Sequence, residues 1–357
     1  MSEHGGNVLE MALKVGIDAN DIIDFSANIN PLGMPASLKT AIVTQLERAE
    51  CYPDVTYRAL HAALAHAHNC EPNQIMAGNG ATELIYAVVQ YLQPRRALLL
   101  TPGFAEYRRA LVRIGCTIDD YVLSPEDGFQ PDERLLTALD NTHYDCLFIA
   151  TPNNPTGLMP EQSLLQALVE RCHQRNTALI VDEAFIDFLL GEPGLAPQLN
   201  HSPHLYILRS LTKFFAIPGL RLGYLLSADT TAIQTMKQTR EPWTINAFAA
   251  LAGEIILSDV PYITATHRWL AEAQQWLYQA LNAMPELQVW RPTANYIFLH
   301  CLRSDINLQS ALLQHRLLIR SCANYPGLTA NHYRVAIKST ADNQRLVTAL
   351  QQVFSHG

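Results

Sequence analysis

The feature of this sequence that most limits its possible folds is a repeated alternation between short, continuously apolar segments and longer amphipathic ones. Residues 97–101, 146–151 and 178–182 are apolar runs of strand length, and segments such as 82–92 and 161–175 have helical character. Strands that are apolar throughout and separated by helices are typical of a mostly parallel sheet covered on both faces. The sequence therefore predicts an α/β fold for the larger part of the chain.

The pattern changes after residue 255, where a long helical stretch over 262–283 leads into shorter mixed segments. This change from regular alternation to mixed segments predicts a smaller α+β domain. A chain of 357 residues also exceeds one typical core. We therefore expect an N-terminal segment over 1–30 that packs on the small domain and the cleft, a large domain over 31–255 and a small domain over 256–357.

Charge and cysteine usage exclude several classes of partner. The formal net charge is −8 and there are no blocks of Lys or Arg, which argues against nucleic acid. No apolar stretch approaches the ~18 residues that a membrane helix requires, and the first residues lack a signal-peptide pattern. Seven cysteines without a C-x-x-C pair indicate reduced thiols rather than disulfides or a metal site. We expect a cytoplasmic protein that binds neither nucleic acid nor membranes.

Polar residues recur where the predicted strands end. In a parallel sheet the ligand lies beyond the carboxyl ends of the strands, so these positions are the candidates for a site. They are the segments 78–80, 101–103, 151–154, 182–183 and 210–213.

Lys213 stands out among the five lysines because it follows a buried strand and has apolar neighbours. A desolvated amine has a lowered pKa and is a usable nucleophile toward aldehydes. Taken alone, a lysine that reaches out of an apolar turn explains the pattern equally well. However, Ser210, Thr212 and Arg221 flank it, and two hydroxyls with a guanidinium suit a phosphate dianion.

Two further segments fit the same interpretation. The small residues of 78–82 lead from a strand end into a helix, where free N–H groups can hold an anion, although a tight turn is the plain alternative. Asp182 ends an apolar strand, where a carboxylate is costly unless paired, and a protonated pyridine nitrogen is one sufficient partner. Asn154 can donate to a ring oxygen, although N-P-x-G is also a turn signal.

Together these motifs, S-x-T-K-x7-R, T-P-N-N-P-T-G, D-E-A-F and Y-P-D-x-x-Y, resemble those of the fold-type I aminotransferase superfamily over nearly the whole chain. The resemblance implies pyridoxal 5'-phosphate as cofactor, a Schiff base on Lys213, and Asp182 and Asn154 on the ring nitrogen and phenolic oxygen. It also implies that Phe104 stacks on the ring and that Phe185 replaces a tyrosine of many relatives, so that one hydroxyl is missing. The implied phosphate contacts are Gly80, Ala81, Thr82, Ser210, Thr212 and Arg221. Tyr57 is expected to reach the phosphate of a neighbouring subunit, which implies a homodimer.

Within the superfamily the chain most resembles histidinol-phosphate aminotransferases and the threonine-phosphate decarboxylases of cobalamin side-chain synthesis. Segments 4–7, 25–33, 182–188 and 319–327 favour the decarboxylases. The implied reaction converts L-threonine O-3-phosphate into (R)-1-amino-2-propanol O-phosphate and CO2. The substrate-binding residues that the resemblance implies are His4, Gly5, Asn28, Asn154, Arg320 and Arg334.

Three alternatives stay open at this point. An aminotransferase shares the same cofactor site, and a non-catalytic binding protein shares the same fold. The histidines at 61, 66 and 68 lie on one predicted helix, but they have no evident carboxylate partner, and we expect no metal site.

Overall fold

The computed structural model describes residues 5–355. The strands, in chain order, are β1 (Ile23–Asp24), β2 (Ile75–Gly78), β3 (Arg96–Thr101), β4 (Thr117–Val122), β5 (Cys146–Ala150), β6 (Ala178–Asp182), β7 (Leu205–Ser210), β8 (Gly223–Ser227), β9 (Leu287–Val289), β10 (Tyr296–Cys301), β11 (Leu317–Leu318), β12 (Arg320–Ser321) and β13 (His332–Ala336). The α-helices are α1 (Val8–Val15), α2 (Ala36–Thr44), α3 (Arg58–His68), α4 (Ala81–Leu92), α5 (Ala105–Arg113), α6 (Arg134–Asn141), α7 (Gln162–Arg175), α8 (Thr230–Thr239), α9 (Ala247–Ile255), α10 (Val260–Asn282), α11 (Leu308–Gln314) and α12 (Thr340–Ser355).

The large domain is built on a seven-stranded sheet with the order β2-β8-β7-β6-β5-β3-β4. Six strands point the same way, and β8 alone runs against its neighbours β2 and β7. Because β8 runs in the opposite direction, its first residue lies beside the last residues of its two neighbouring strands. Arg221, which precedes β8, is therefore brought to the same edge as Lys213, which follows β7.

Apart from the edge strand β4, the strands of this sheet bury both of their faces, as their continuous apolar sequences predict. Along β3, Leu98 and Leu100 pack into one hydrophobic cluster, while Ala97 and Leu99 pack into a second cluster on the opposite face. Successive side chains of a strand point to opposite faces, so a strand with helices on both sides needs apolar residues at every position. The predicted α/β fold is confirmed.

The C-terminal part of the chain forms a four-stranded antiparallel sheet with the order β12-β13-β10-β9. The N-terminal segment attaches here, because β1 pairs in parallel with β11. Ala12 and Ile22 also share a small buried cluster with Leu313 and Leu318. This attachment carries the first described residues along the small domain toward the cleft.

One strand of the seven-stranded sheet differs from the sequence-based expectation. The edge strand β4 was not predicted, because its sequence TIDDYV mixes polar and apolar residues and none of them is fully buried. No single helix among residues 5–355 is both long and apolar enough to cross a membrane. Two consecutive helical segments, 247–258 and 260–282, are together long and apolar enough to span a membrane, by length and composition only. The angle between them is 74°.

Candidate active site

The polar strand ends and the small domain enclose one cavity of about 490 Å³, which we call the main cavity. Its position agrees with the general rule for parallel sheets. Its lining residues are Gly5, Ser26, Ala27, Asn28, Ile29, Thr82, Phe104, Glu106, Tyr107, Ala150, Pro152, Asn154, Asp182, Ala184, Phe185, Thr212, Lys213, Pro218, Arg221, Arg320, Tyr325 and Arg334.

Lys213 lies in the turn after β7 and reaches into the main cavity. Its Nζ donates a hydrogen bond of 3.0 Å to Ser210 Oγ and stands 5.5 Å from the centre of the Phe185 ring. Burial lowers the pKa of this amine to about 8, although the nearby Asp182 carboxylate acts in the opposite direction. On the order of a tenth of Lys213 is therefore neutral and nucleophilic at pH 7, far more than for an ordinary lysine.

This lowered pKa predicts how the cofactor-free enzyme reacts with an aldehyde. The neutral amine is the attacking species, so its fraction rises about tenfold per pH unit below the pKa and levels off above it. We expect the rate constant for pyridoxal phosphate uptake to increase up to about pH 8 and then to flatten. Stopped-flow absorbance from pH 6 to 10 measures it. A rate constant that still rises steeply up to pH 10 would show that the pKa of Lys213 is that of an ordinary lysine.

Asp182, the last residue of β6, is buried in the floor of the main cavity. Its Oδ2 accepts a 2.6 Å hydrogen bond from the Tyr107 hydroxyl, and its Oδ1 accepts one of 2.9 Å from the Ala184 amide. Burial raises the pKa of this carboxyl, while Tyr107 and Lys213 favour its ionised form. A buried carboxylate with only neutral hydrogen-bond donors is suited to hold a cationic partner.

One end of the main cavity is suited to a phosphate. Thr82 lies in the first turn of α4, and Thr212 and Arg221 approach from the turns beside β7 and β8. The Arg221 guanidinium packs so closely on Gly80 that a Cβ there would stand 2.4 Å from it, and φ at Gly80 is +81°. The positive φ is what requires glycine here, because L side chains rarely adopt that conformation.

Ser210 stands just behind this end of the cavity. Its hydroxyl is buried and contacts both Lys213 Nζ and, at 2.9 Å, Thr212 Oγ1. It therefore orients two lining groups. Gly80, Ala81 and Ser210 do not themselves line the cavity.

The opposite end carries two buried arginines from the small domain. Arg334 on β13 donates to Asn154 Oδ1 at 2.5 Å and to the Ser26 carbonyl at 2.7 Å, while its Nε makes no hydrogen bond within the described residues. Arg320 on β12 donates to Asn324 Oδ1 at 2.9 Å. The two arginines are direct partners across antiparallel strands. Two positive charges so placed repel each other, and a bound anion would relieve this repulsion. The pair therefore favours binding of an anion at this end of the main cavity.

Asn28 adds neutral polar groups at the same end. Its side chain is buried, and neither its amide nitrogen nor its oxygen has a hydrogen-bond partner within the described residues. The backbone carbonyl of Asn28 accepts from Asn295 Nδ2 at 2.9 Å, which fixes the position of the residue. Buried polar atoms are rarely left unpaired, so this side chain is positioned for a ligand.

The N-terminal segment supplies Gly5 to the cavity wall. A Cβ on Gly5 would lie 2.2 Å from the Ser26 carbonyl oxygen, so the backbone approach requires glycine. The next amide, that of Gly6, donates to Ser26 Oγ at 2.8 Å. His4, the other predicted residue of this segment, lies outside the described residues.

Tyr57 does not line the main cavity of its own chain, and its predicted contact to a neighbouring subunit stays a prediction. Tyr57 is 3 % exposed, and its hydroxyl both donates to the Ile245 carbonyl and accepts from the Ile245 amide of the same chain. These two hydrogen bonds hold the hydroxyl against the backbone just before α9. The first tyrosine of the same motif, Tyr52, is 82 % exposed and lies 4.6 Å from the Trp243 ring.

Residues 5–355 contain no group of three or more potential metal ligands. His61 uses both ring nitrogens: Nδ1 bonds the Tyr57 carbonyl at 2.8 Å, and Nε2 accepts from the Ala77 amide at 3.2 Å. The His61 ring thus accepts a hydrogen bond from a backbone amide of β2, which lies at one edge of the sheet. His68 Nε2 bonds the Tyr224 hydroxyl at 2.7 Å. These histidines have structural roles.

Among the lining residues that the sequence did not predict are two tyrosines that contact predicted site residues. Tyr107 bonds Asp182 across 75 residues of sequence, and Tyr325 lies 3.4 Å from Asn154 Oδ1 across 171. Tyr107 lies one helical turn after Phe104, so it was within reach of a periodicity argument. Tyr325 lies in the segment 319–327, but nothing local indicates the direction of its side chain.

Comparison with known proteins gives the following similarities. Residues 20–350 match the family model described as aminotransferase class I and II. The chain is 53% identical over 354 residues to the threonine-phosphate decarboxylase of Salmonella typhimurium (strain LT2). The aligned region covers 99% of this chain and 97% of that protein.

The fold also matches solved structures. The histidinol-phosphate aminotransferase of Clostridium acetobutylicum has a TM-score of 0.87 at 28% identity and covers 93% of this chain and 99% of its own. The histidinol-phosphate aminotransferase of Sinorhizobium meliloti, in complex with pyridoxal-5'-phosphate, has a TM-score of 0.87 at 18% identity. It covers 100% of this chain and 99% of its own.

Proposed function

The chain belongs to the class I and II aminotransferase family, and on that premise we propose that it decarboxylates L-threonine O-3-phosphate, giving (R)-1-amino-2-propanol O-phosphate and CO2 for cobalamin biosynthesis. The Salmonella typhimurium protein that is 53% identical over the full length carries the corresponding name. The enzyme is a carboxy-lyase, and its cofactor is pyridoxal 5'-phosphate.

The observation that carries this proposal is the pair of facing arginines, Arg320 and Arg334, beside the unpartnered Asn28 side chain. A substrate with one carboxylate needs one such cation. A substrate that carries both a carboxylate and a phosphate needs more than one, because each anion must be paired when it leaves water. The main cavity supplies two guanidinium groups and further hydrogen-bonding groups at its small-domain end.

The residues of the main cavity fit the cofactor. Thr82, Thr212 and Arg221 suit its phosphate, Asp182 its ring nitrogen and Asn154 its phenolic oxygen, while Phe104 and the Lys213 amine complete the site. When bound, the cofactor supplies an electron sink for the electron pair that remains on Cα after CO2 leaves.

Each residue then has a defined task. Asp182 would keep the ring nitrogen protonated, since a buried carboxylate is most stable beside a cation. Asn154 accepts from Arg334 through Oδ1, which leaves its amide N–H groups as the donors that would hold the phenolic oxygen. Lys213, whose pKa is lowered to about 8 by burial, would carry the proton that Cα receives after decarboxylation.

Orientation of the substrate selects the bond that breaks. The bond at Cα that stands perpendicular to the cofactor ring is the reactive one, so binding groups away from the reacting centre determine the outcome. We infer that Arg320, Arg334 and Asn28 hold the anionic groups so that the Cα–carboxylate bond takes this position. The same groups keep the Cα–H bond out of it, which suppresses transamination.

The direct test is to incubate the purified holoenzyme with L-threonine O-3-phosphate and measure CO2 release. We expect CO2 and the amino alcohol phosphate in equal amounts, without a requirement for a 2-oxoacid. The matched reaction contains histidinol phosphate and 2-oxoglutarate. Amination of the 2-oxoacid without CO2 release would establish the aminotransferase alternative.

Arg320→Ala separates the phosphate site from the carboxylate site. Removing a charge-assisted hydrogen bond costs about 1.5–3 kcal/mol, so we expect KM for threonine phosphate to rise about 10- to 100-fold. Unphosphorylated threonine should lose much less. Steady-state CO2 release with both substrates measures this difference, and an equal loss for both would show that Arg320 does not bind the phosphate.

We further propose that the enzyme is a cytoplasmic homodimer. Tyr52 and Trp243 form an exposed aromatic pair. Val43 and Leu46, which lie nearby in sequence, are also exposed, 75% and 61%. Such a concentration of apolar groups favours association with a second copy. Sedimentation velocity at micromolar concentration tests the assembly.

A further inference from the structure

A second cavity, of about 530 Å³, adjoins the main cavity and has no role in the mechanism above. The two cavities share Phe104, Tyr107 and Tyr325, which form the wall between them. We call the second one the arginine cavity, because Arg108, Arg109 and Arg113 of α5 line it. Its other lining residues are Leu99, Leu100, Thr101, Gly103, Ala105, Val112, Asn324 and Pro326.

The charge of this lining is one-sided. Three arginines line the arginine cavity, and among residues 5–355 no aspartate or glutamate does. Arg108 pairs with Asp120, and Arg109 pairs with Glu106 at 2.7 Å, but both carboxylates lie outside the lining. Arg113 is exposed, stands 5.9 Å from the centre of the Tyr86 ring, and makes no ion pair within residues 5–355.

A second observation at the same place concerns a hydroxyl. Thr101 lines the arginine cavity at the end of β3, and its Oγ1 is buried without a hydrogen-bond partner in the described part of the chain. Buried hydroxyls are normally paired, so this one marks a place in the cavity wall where a polar partner is missing among the described residues. Guanidinium groups together with a hydroxyl make a set of donors suited to a phosphate or carboxylate.

We propose that the arginine cavity is an accessory site for small phosphate monoesters, which collects the anionic substrate beside the main cavity. The substrate-collecting role rests on the proposed function. The protein carries a net charge of −8 and a phosphate monoester carries about −1.5 to −2 at neutral pH, so the two repel at long range. A local positive surface offsets this repulsion and raises the substrate concentration at the entrance.

The kinetic test uses Arg113→Glu, with Arg268→Glu as the matched control. Both residues are exposed and both substitutions change the net charge by the same amount, but Arg268 lies on α10 and does not line either cavity. At low salt we expect Arg113→Glu to reduce kcat/KM for threonine phosphate about three- to tenfold with kcat unchanged. The difference between the variants should vanish near 0.5 M salt, because screening then acts over a few ångströms.

A binding test does not depend on turnover. Inorganic phosphate is titrated with the holoenzyme and followed by the line width of its 31P signal. We expect Arg113→Glu to lose part of the broadening that Arg268→Glu retains. If phosphate binding responds in this way but no CO2 is released, the accessory site stands and the proposed function falls.

Three results would overturn the proposal. Equal changes of kcat/KM and of the 31P line width in Arg113→Glu and Arg268→Glu would show that only the net charge of the protein matters. A fall in kcat with unchanged KM would make Arg113 a contributor to the chemical step. A loss of kcat/KM that persists at high salt would indicate a structural effect of the substitution.

Discussion

Lys213→Ala is expected to abolish covalent attachment of the cofactor and to reduce CO2 release by about 10³-fold or more. The variant loses both the nucleophile for the aldehyde and the group that carries a proton to Cα, and loss of acid–base catalysis alone typically costs 10²–10⁴. Borohydride reduction of the holoenzyme followed by peptide mass spectrometry gives the measurement. Wild type should show pyridoxyl label on Lys213, and the variant should show none.

Lys237→Ala is the matched control for this experiment. Burial also lowers the pKa of Lys237 to about 8, but its Nζ bonds the Pro72 carbonyl at 3.3 Å and it does not line the main cavity. We expect this variant to keep full label and activity. Label on Lys237, or persistence of label in Lys213→Ala, would show that a lowered pKa and not position selects the lysine.

Asp182→Asn should reduce kcat about 100-fold or more while leaving the protein folded. The amide cannot hold a proton on the ring nitrogen as a carboxylate does, and loss of one preorganised electrostatic group commonly costs 10²–10³ in rate. Stability should change little, because burial of an ionised carboxylate is itself unfavourable, as its raised pKa indicates. The Tyr107 hydroxyl can then accept from the new amide instead of donating.

The measurements are kcat from CO2 release and Tm of the cofactor-free protein. We expect Tm within about 3 °C of wild type. Asp187→Asn provides the contrast, since Asp187 accepts from Arg209 at 3.1 Å and lies outside the main cavity. That variant should lower Tm and keep the visible spectrum of the bound cofactor. A large fall in Tm for Asp182→Asn would contradict this view of the site.

Where the signal was local, the structure brings together the groups that the sequence analysis grouped. Lys213 was identified from its apolar neighbours and from hydroxyls at −3 and −1, and these groups are in contact, with Ser210 Oγ 3.0 Å from Nζ. Asp182 was identified because a carboxylate ends an apolar strand, and it lies buried in the cavity floor. Neighbours within a few residues of a strand end keep their mutual distances in any fold of this class.

Predictions were poorer where position depends on register or on the surroundings. The polar edge strand β4 was missed because only its pairing with β3 makes it a strand. The hydrogen bonds between the Tyr57 hydroxyl and the Ile245 backbone, 188 residues away, were not predicted from the motif. The arginine cavity was not anticipated, because it requires the loop at 324–326 to face α5.

The sequence by itself determined the class of fold, the lysine and the strand ends that surround it, because apolar runs and local spacings require no knowledge of distant contacts. Only the tertiary structure decided that Arg320 faces Arg334, that Tyr107 bonds Asp182 and that Arg221 lies against Gly80. These pairs join residues far apart in the chain. Strand register and the reversed direction of β8 fix them, and both are set by packing of the whole molecule rather than by any short segment.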